Sequence, residues 1–134
     1  MIIYLTKDLM FSSRVRPLVA NQGQPLKIAP SLEDGVARLP EWLEELAAAR
    51  SAPSYPAGLG IVVDLKIVAD PATLSPFLQT CRHLISDCPF RSLAYGPHVH
   101  VELLSAAEAA GFDRVMTQGQ FDRGFAAWLA NPAT

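Results

Sequence analysis

The sequence predicts an α/β fold: a three-layer α/β/α sandwich around a five-stranded parallel sheet. Three observations carry this. Short apolar runs alternate along the chain with longer stretches of helical periodicity. The central run, GIVVD over Gly60–Asp64, is apolar without polar interruption, as in a strand covered on both faces. Finally, 134 residues, 50% of them hydrophobic, suit one domain over 1–134 with a single sizeable core.

The elements follow in order. MIIYLT is a first strand, and Asp8 is a good N-cap for the helix after it, where Phe11, Val15, Leu18 and Val19 share a face and Gly23 is the stop. Pro17 inside that helix predicts a kink or an early end. QPLKIAP is a brief second strand with Leu26 and Ile28 on one side. Ser31 and Asp34 form an approximate capping box for a short second helix, SLEDGVARL. PEWLEELAAARSA starts on a favoured first-turn proline, Pro40, and carries Trp42, Leu43, Leu46 and Ala47, so it is an extra helix or an extension of the second. PSYPAGLG reads as a loop.

After GIVVD come a loop through Asp70, a helix from Pro71 to about Leu84 that Pro76 could shorten, and a fourth strand, RSLAY. GPHVH leads into a helix with Val101, Leu104 and Ala107 on one side and Gly111 as its stop. DRVMT is the fifth strand. QFDRGFAAWLAN closes the chain, with Phe121, Phe125, Trp128 and Leu129 as an apolar stripe that packs on the sheet or on a second subunit.

Composition excludes several functions. A net charge of -2 supplies no field for nucleic acid or an anionic membrane. No apolar run approaches the roughly 20 residues of a membrane span, and the N-terminus reaches a charge too early for a signal peptide, so a cytoplasmic location is expected. Cys81 and Cys88 are too few for a disulfide framework. With His83 they make C-x-H-x4-C, which matches no structural zinc pattern, so neither a metal nor a cofactor is expected and both thiols read as small hydrophobes.

Strict β-α alternation favours the flavodoxin-like strand order 2-1-3-4-5, whose working edge is the carboxyl ends of strands one, three and four. That edge receives Thr6, Lys7 and Asp8, then Asp64, Leu65 and Lys66, then Tyr95, Gly96, Pro97 and His98. Asp64 is its central carboxylate.

With these pieces in place the chain resembles the receiver domain of bacterial response regulators over nearly its whole length. The matching segments are IIYLTKDLMFSSRV, IVVDL, SLAYG and AAGFDRVMTQGQF. The resemblance implies a CheY-like signalling module in which Asp64 matches the phosphoacceptor. It also implies an altered pocket. The two metal-binding acids become Thr6 and Lys7, or Lys7 and Asp8 in a register one residue on; the Thr or Ser ending the fourth strand becomes Tyr95; the Lys ending the fifth becomes Gln118. Magnesium needs several oxygen ligands and phosphoryl transfer needs its charge. A degenerate pseudo-receiver, not phosphorylated in the usual way and acting through protein contacts, is the expectation.

Its partner is unidentified. The resemblance implies a homodimer through the fourth helix, fifth strand and fifth helix, a face that carries His100, Glu102, Arg114, Asp122 and Arg123. Asp64 itself is expected to be a structural carboxylate paired with Lys7 or capping local amides, and His98 and His100 to be solvated. Two rivals rank below. One is a small-molecule or flavin-binding flavodoxin-like domain, but flavodoxins need a Ser/Thr/Gly-rich phosphate loop after the first strand, and TKDLMFSS has no glycine. An enzyme needs a nucleophile with a base, and no Ser or Cys sits in a recognisable elbow.

Overall fold

In a computed structural model, five parallel strands form one sheet in the order β2-β1-β3-β4-β5. The structure describes residues 1–49, 58–86 and 88–130. The strands are β1 (Ile2–Leu5), β2 (Leu26–Ala29), β3 (Leu59–Asp64), β4 (Phe90–Gly96) and β5 (Arg114–Thr117). The helices are α1 (Leu9–Asn21), α2 (Leu32–Ala49), α3 (Leu74–Leu84), α4 (Val101–Ala110) and α5 (Gln118–Ala130). The predicted fold class and strand order are both observed.

Alternation along each strand splits the core in two. Ile3, Leu5, Ile61, Val63 and Ala94 meet α2, α3 and α4 through Leu39, Trp42, Leu46, Leu78, Cys81 and Ala107. Ile2, Tyr4, Val62, Leu93, Tyr95 and Met116 meet α1 and α5 through Val15, Val19, Phe121, Phe125 and Trp128. The chain runs outward from β1 to β2 and returns past β1 to β3, so the crossovers on either side of β1 lie on opposite faces. That reversal leaves the crevice at the ends of β1 and β3 open to chemistry.

Local signals hold at most boundaries. Asp8 caps α1, its carboxylate accepting from the Met10 and Phe11 amides at 3.0 and 3.1 Å. The Ser31 hydroxyl accepts from the Asp34 amide at 3.0 Å. Gly111 stops α4 at φ 100°, a left-handed conformation that a side chain would strain. Gly60 has a different duty: a Cβ there would stand 2.8 Å from Ile2 Cδ1 and 3.1 Å from Trp128 Cη2, so its bareness lets α5 settle on the sheet.

Prolines shorten these helices less than local rules expect. Of the kink or early end read at Pro17, the early end does not occur: α1 continues through it to Asn21. Residues 32–49 form one 18-residue helix, the extension among the two readings, with Pro40 in its interior and not in a first turn. Both prolines are exposed, so water can satisfy the carbonyls they leave unpaired while the buried faces hold the helices together. Pro76 is the third residue of α3, where its amide would have had no helical partner, and α3 reaches Leu84. A 3-10 turn, Pro71–Thr73, precedes α3.

Val101 departs from the predicted apolar side of α4. It is 64% exposed because the first turn of that helix overhangs the sheet edge, whereas Ala107 is fully buried. Ala47 is likewise exposed. The loop reading for Pro53–Gly60 falls mostly outside the described residues, and its last two positions, Leu59 and Gly60, belong to β3. Cys81 is in the core, where burial pushes its thiol up to about 12, and Cys88 is half-buried.

Candidate functional site

Strand register assembles the site. Leu5 pairs with Val63, so Thr6 continues β1 beside Asp64, and Asp64 pairs with Tyr95 of β4. These three residues share the face covered by α1 and α5. Asp64 is 1% exposed and Thr6 4%. A carboxylate buried so deeply needs donors, and it has them. The Thr6 hydroxyl donates to Asp64 Oδ2 at 2.8 Å, and the Lys66 amide donates to Oδ1 at 3.0 Å. The Asp8 amide in turn donates to Thr6 Oγ1 at 3.0 Å.

The cation of the site is Lys66. Its Nζ donates to Asp8 Oδ2 at 3.1 Å, stands 3.9 Å from Asp64 Oδ2, and lies 5.7 Å above the centre of the Phe11 ring. The expected partnership of Asp64 with Lys7 is therefore overturned: Lys7 is exposed. Strand alternation explains the difference. Thr6 and Asp8 turn inward after β1, which sends Lys7 outward, while the 3-10 turn Leu65–Ile67 after β3 carries Lys66 over the carboxylates. The Phe11 amide first, and then Lys66, hold the Asp8 carboxyl below its ordinary value.

Below the carboxylates lies an aromatic floor. The hydroxyls of Tyr4 and Tyr95 bond to each other, on strands that flank β3. Tyr95 stacks on Phe121 of α5 at 3.9 Å between ring centres and 9° between planes, and Phe11 and Phe125 close the cluster. Burial raises the Tyr4 phenol to about 12 and the Asp64 charge adds to the rise, while hydrogen bonds with the Tyr95 and Thr6 hydroxyls oppose it. Burial, then Tyr4, push Tyr95 upward too.

A stability consequence follows. A phenol whose folded pKa lies above its unfolded value of 10 stabilises the fold fully below pH 10 and loses that contribution as pH rises toward 12. We expect a single cooperative base transition in that window, with tyrosinate absorbance and loss of circular dichroism rising together. Tyrosinate from Tyr4 appearing while the fold stays intact would contradict it.

Of the sequence-predicted residues, the structure brings together Asp64, Thr6, Asp8 and Tyr95. Gln118, half-buried at the start of α5, is not bonded to the cluster, and His98 and His100 are exposed on a turn closed by the His100 amide and the Pro97 carbonyl at 3.0 Å. Tyr4 was missed although strand parity places it, and Lys66, read at the edge, was missed as the cation of the site: it sits in the 3-10 turn Leu65–Ile67 that follows β3. Also missed was the cap of α5, where the Thr117 amide donates to Gln120 Oε1 at 2.9 Å and the Gln120 amide to Thr117 Oγ1 at 3.2 Å. Its signal is the T-x-x-Q spacing.

Chemically, two carboxylate oxygens, Asp8 Oδ2 and Asp64 Oδ2, face one point, and an ammonium fills it. Among the described residues no cluster of three or more His, Cys, Asp or Glu could hold a metal ion, and no helix is long and apolar enough to cross a membrane.

No family model matches the sequence, and no curated protein matches it. Solved structures do. A CheY-like protein (tadZ) from Pseudomonas aeruginosa superposes with TM-score 0.54 at 19% identity, over 96% of this chain and 98% of that one. A response regulator in red light signaling of R. palustris gives TM-score 0.60 at 12% identity, over 99% and 95%. A pilus assembly-related protein from Burkholderia pseudomallei gives 0.54 at 16%, over 99% and 92%. The chain has the fold of CheY-like receivers, as its segments implied.

Proposed function

We propose that this protein is a non-enzymatic, receiver-like signalling module that works through protein contacts and whose acid pocket is held by its own lysine. The observation that carries this reading is the Lys66 ammonium between Asp8 and Asp64. A divalent cation would have to displace a tethered cation and would find two side-chain carboxylates for a coordination shell of six. Without that metal, a phosphoryl group arriving at Asp64 meets one ammonium and two negative charges. Gln118 brings no positive charge from the end of β5. The receiver architecture supplies the scaffold for recognition, and the module's state is set by what docks on it.

Incubation with magnesium and acetyl phosphate is expected to leave the intact mass unchanged. A phosphoryl adduct that vanishes in Asp64→Asn would overturn the reading.

A further inference from the structure

We infer that the carboxyl edge of the sheet is a self-association surface, on which a second copy of this chain docks with its own identical edge. Four large hydrophobic side chains are conspicuously exposed among the described residues: Leu9 at 81%, Met10 at 73%, Val99 at 67% and Val101 at 64%. All four belong to this one edge. Leu9 and Met10 open α1, just past the end of β1; Val99 and Val101 flank the start of α4, just past the end of β4.

Topology makes the arrangement self-complementary. β1 and β4 are the two neighbours of β3, so the two apolar pairs lie on either side of the β3 end. A two-fold axis through that end sets the Leu9–Met10 pair of one copy on the Val99–Val101 pair of the other, and does the same in reverse. Shape and charge agree with this pairing. Leu9 and Met10 project from a helix start, whereas Val99 and Val101 border an open groove of about 530 Å3 that continues to Ala69, Pro71 and Leu103. Exposed Lys7 precedes the projecting pair, and exposed Glu102 lines the groove, with exposed Asp70 in the adjoining loop. A projection beside a cation thus meets a groove beside two anions, twice per dimer. Apolar patches of this kind on a charged surface mark association sites. The turn that holds Val99 is closed by a backbone bond, so its display loses little entropy on docking. The inference is independent of the signalling reading; the contact shares His100 and Glu102 with the α4–β5–α5 face but extends from the start of α4 across to α1 and leaves out Arg114, Asp122 and Arg123.

Charge reversal tests it. In sedimentation velocity over a concentration series, the native chain is expected to dimerise, Met10→Glu to remain monomeric, and Lys7→Glu and Glu102→Lys each to weaken self-association about tenfold or more, because each homodimer then carries two like-charge contacts. Mixing the two charge variants restores opposite charges at both positions, so an equimolar mixture is expected to form a heterodimer as tight as the native dimer. Circular dichroism confirms that each variant is folded; Val99→Lys replaces Met10→Glu if that variant is not. A native chain that stays monomeric at high micromolar concentration, a dimer indifferent to these changes, or a mixture that fails to associate would each overturn the inference. Dimer loss on reversing Arg114 or Arg123 alone would relocate the contact to α4–β5–α5.

Discussion

Replacing Phe121 by alanine is expected to destabilise the protein by about 3–5 kcal/mol, the range for deleting a buried aromatic ring. Phe121 is 1% exposed and in ring contact with Tyr4, Phe11, Tyr95 and Phe125. Its removal takes away apolar burial and the stacked partner that holds Tyr95 flat under Asp64. Phe121→Leu keeps much of the volume and loses the stacking, so a smaller cost, about 1–2 kcal/mol, is expected. Urea denaturation of both variants measures this. No loss in Phe121→Leu would show that stacking contributes nothing beyond volume. A loss under 1 kcal/mol in Phe121→Ala would show that the floor is loosely packed.

The second large effect belongs to the lysine. Lys66→Met removes the ammonium between two carboxylates while keeping most of the aliphatic stem over Phe11, and about 1–2 kcal/mol of stability is expected to go with it. The figure is modest because Lys66 is one-third exposed and Asp64 keeps its Thr6 and amide donors. Asp64→Ala is expected to cost about 2–3 kcal/mol, since it strands the Thr6 hydroxyl. If the charges interact, the double variant loses less than the sum by about 1 kcal/mol. Lys7→Met, measured on dilute protein, stays within about 0.5 kcal/mol. Strict additivity at Lys66 and Asp64 would remove the ammonium from the explanation of the pocket, and a large loss at Lys7 would reinstate it as the partner.

The fold was legible because its signals were redundant. GIVVD, the Asp8 and Ser31 caps, the Gly111 stop and the Phe121–Leu129 stripe each pointed to the element observed, and alternation then fixed the strand order. Pro17 and Pro40 misled because a local rule prices one lost hydrogen bond and cannot see the tertiary burial of Val19, Leu39 and Trp42 around it. The candidate site was legible to the level of the edge: Thr6, Asp8, Asp64 and Tyr95 were placed there and meet there. The identity of the cation was not. Positional matching to the receiver pattern favoured Lys7, whereas alternation after β1 sends Lys7 outward and the 3-10 turn Leu65–Ile67 after β3 brings Lys66 to the carboxylates. Tyr4 was hidden for a related reason, since a strand tyrosine reads as core until its partner across the sheet is known.

The bond between Tyr4 and Tyr95 joins residues 91 positions apart, and Thr6 reaches Asp64 across 58. Contacts of such long sequence separation form late, after loop closure has been met by other interactions. During synthesis the chain emerges from its N-terminus, so β1 waits for β3, and the aromatic floor waits for α5, which follows both in the chain. Asp64 and Thr6 are therefore open to water and to ions until α5 has been made, and only then does the acid pocket become sealed.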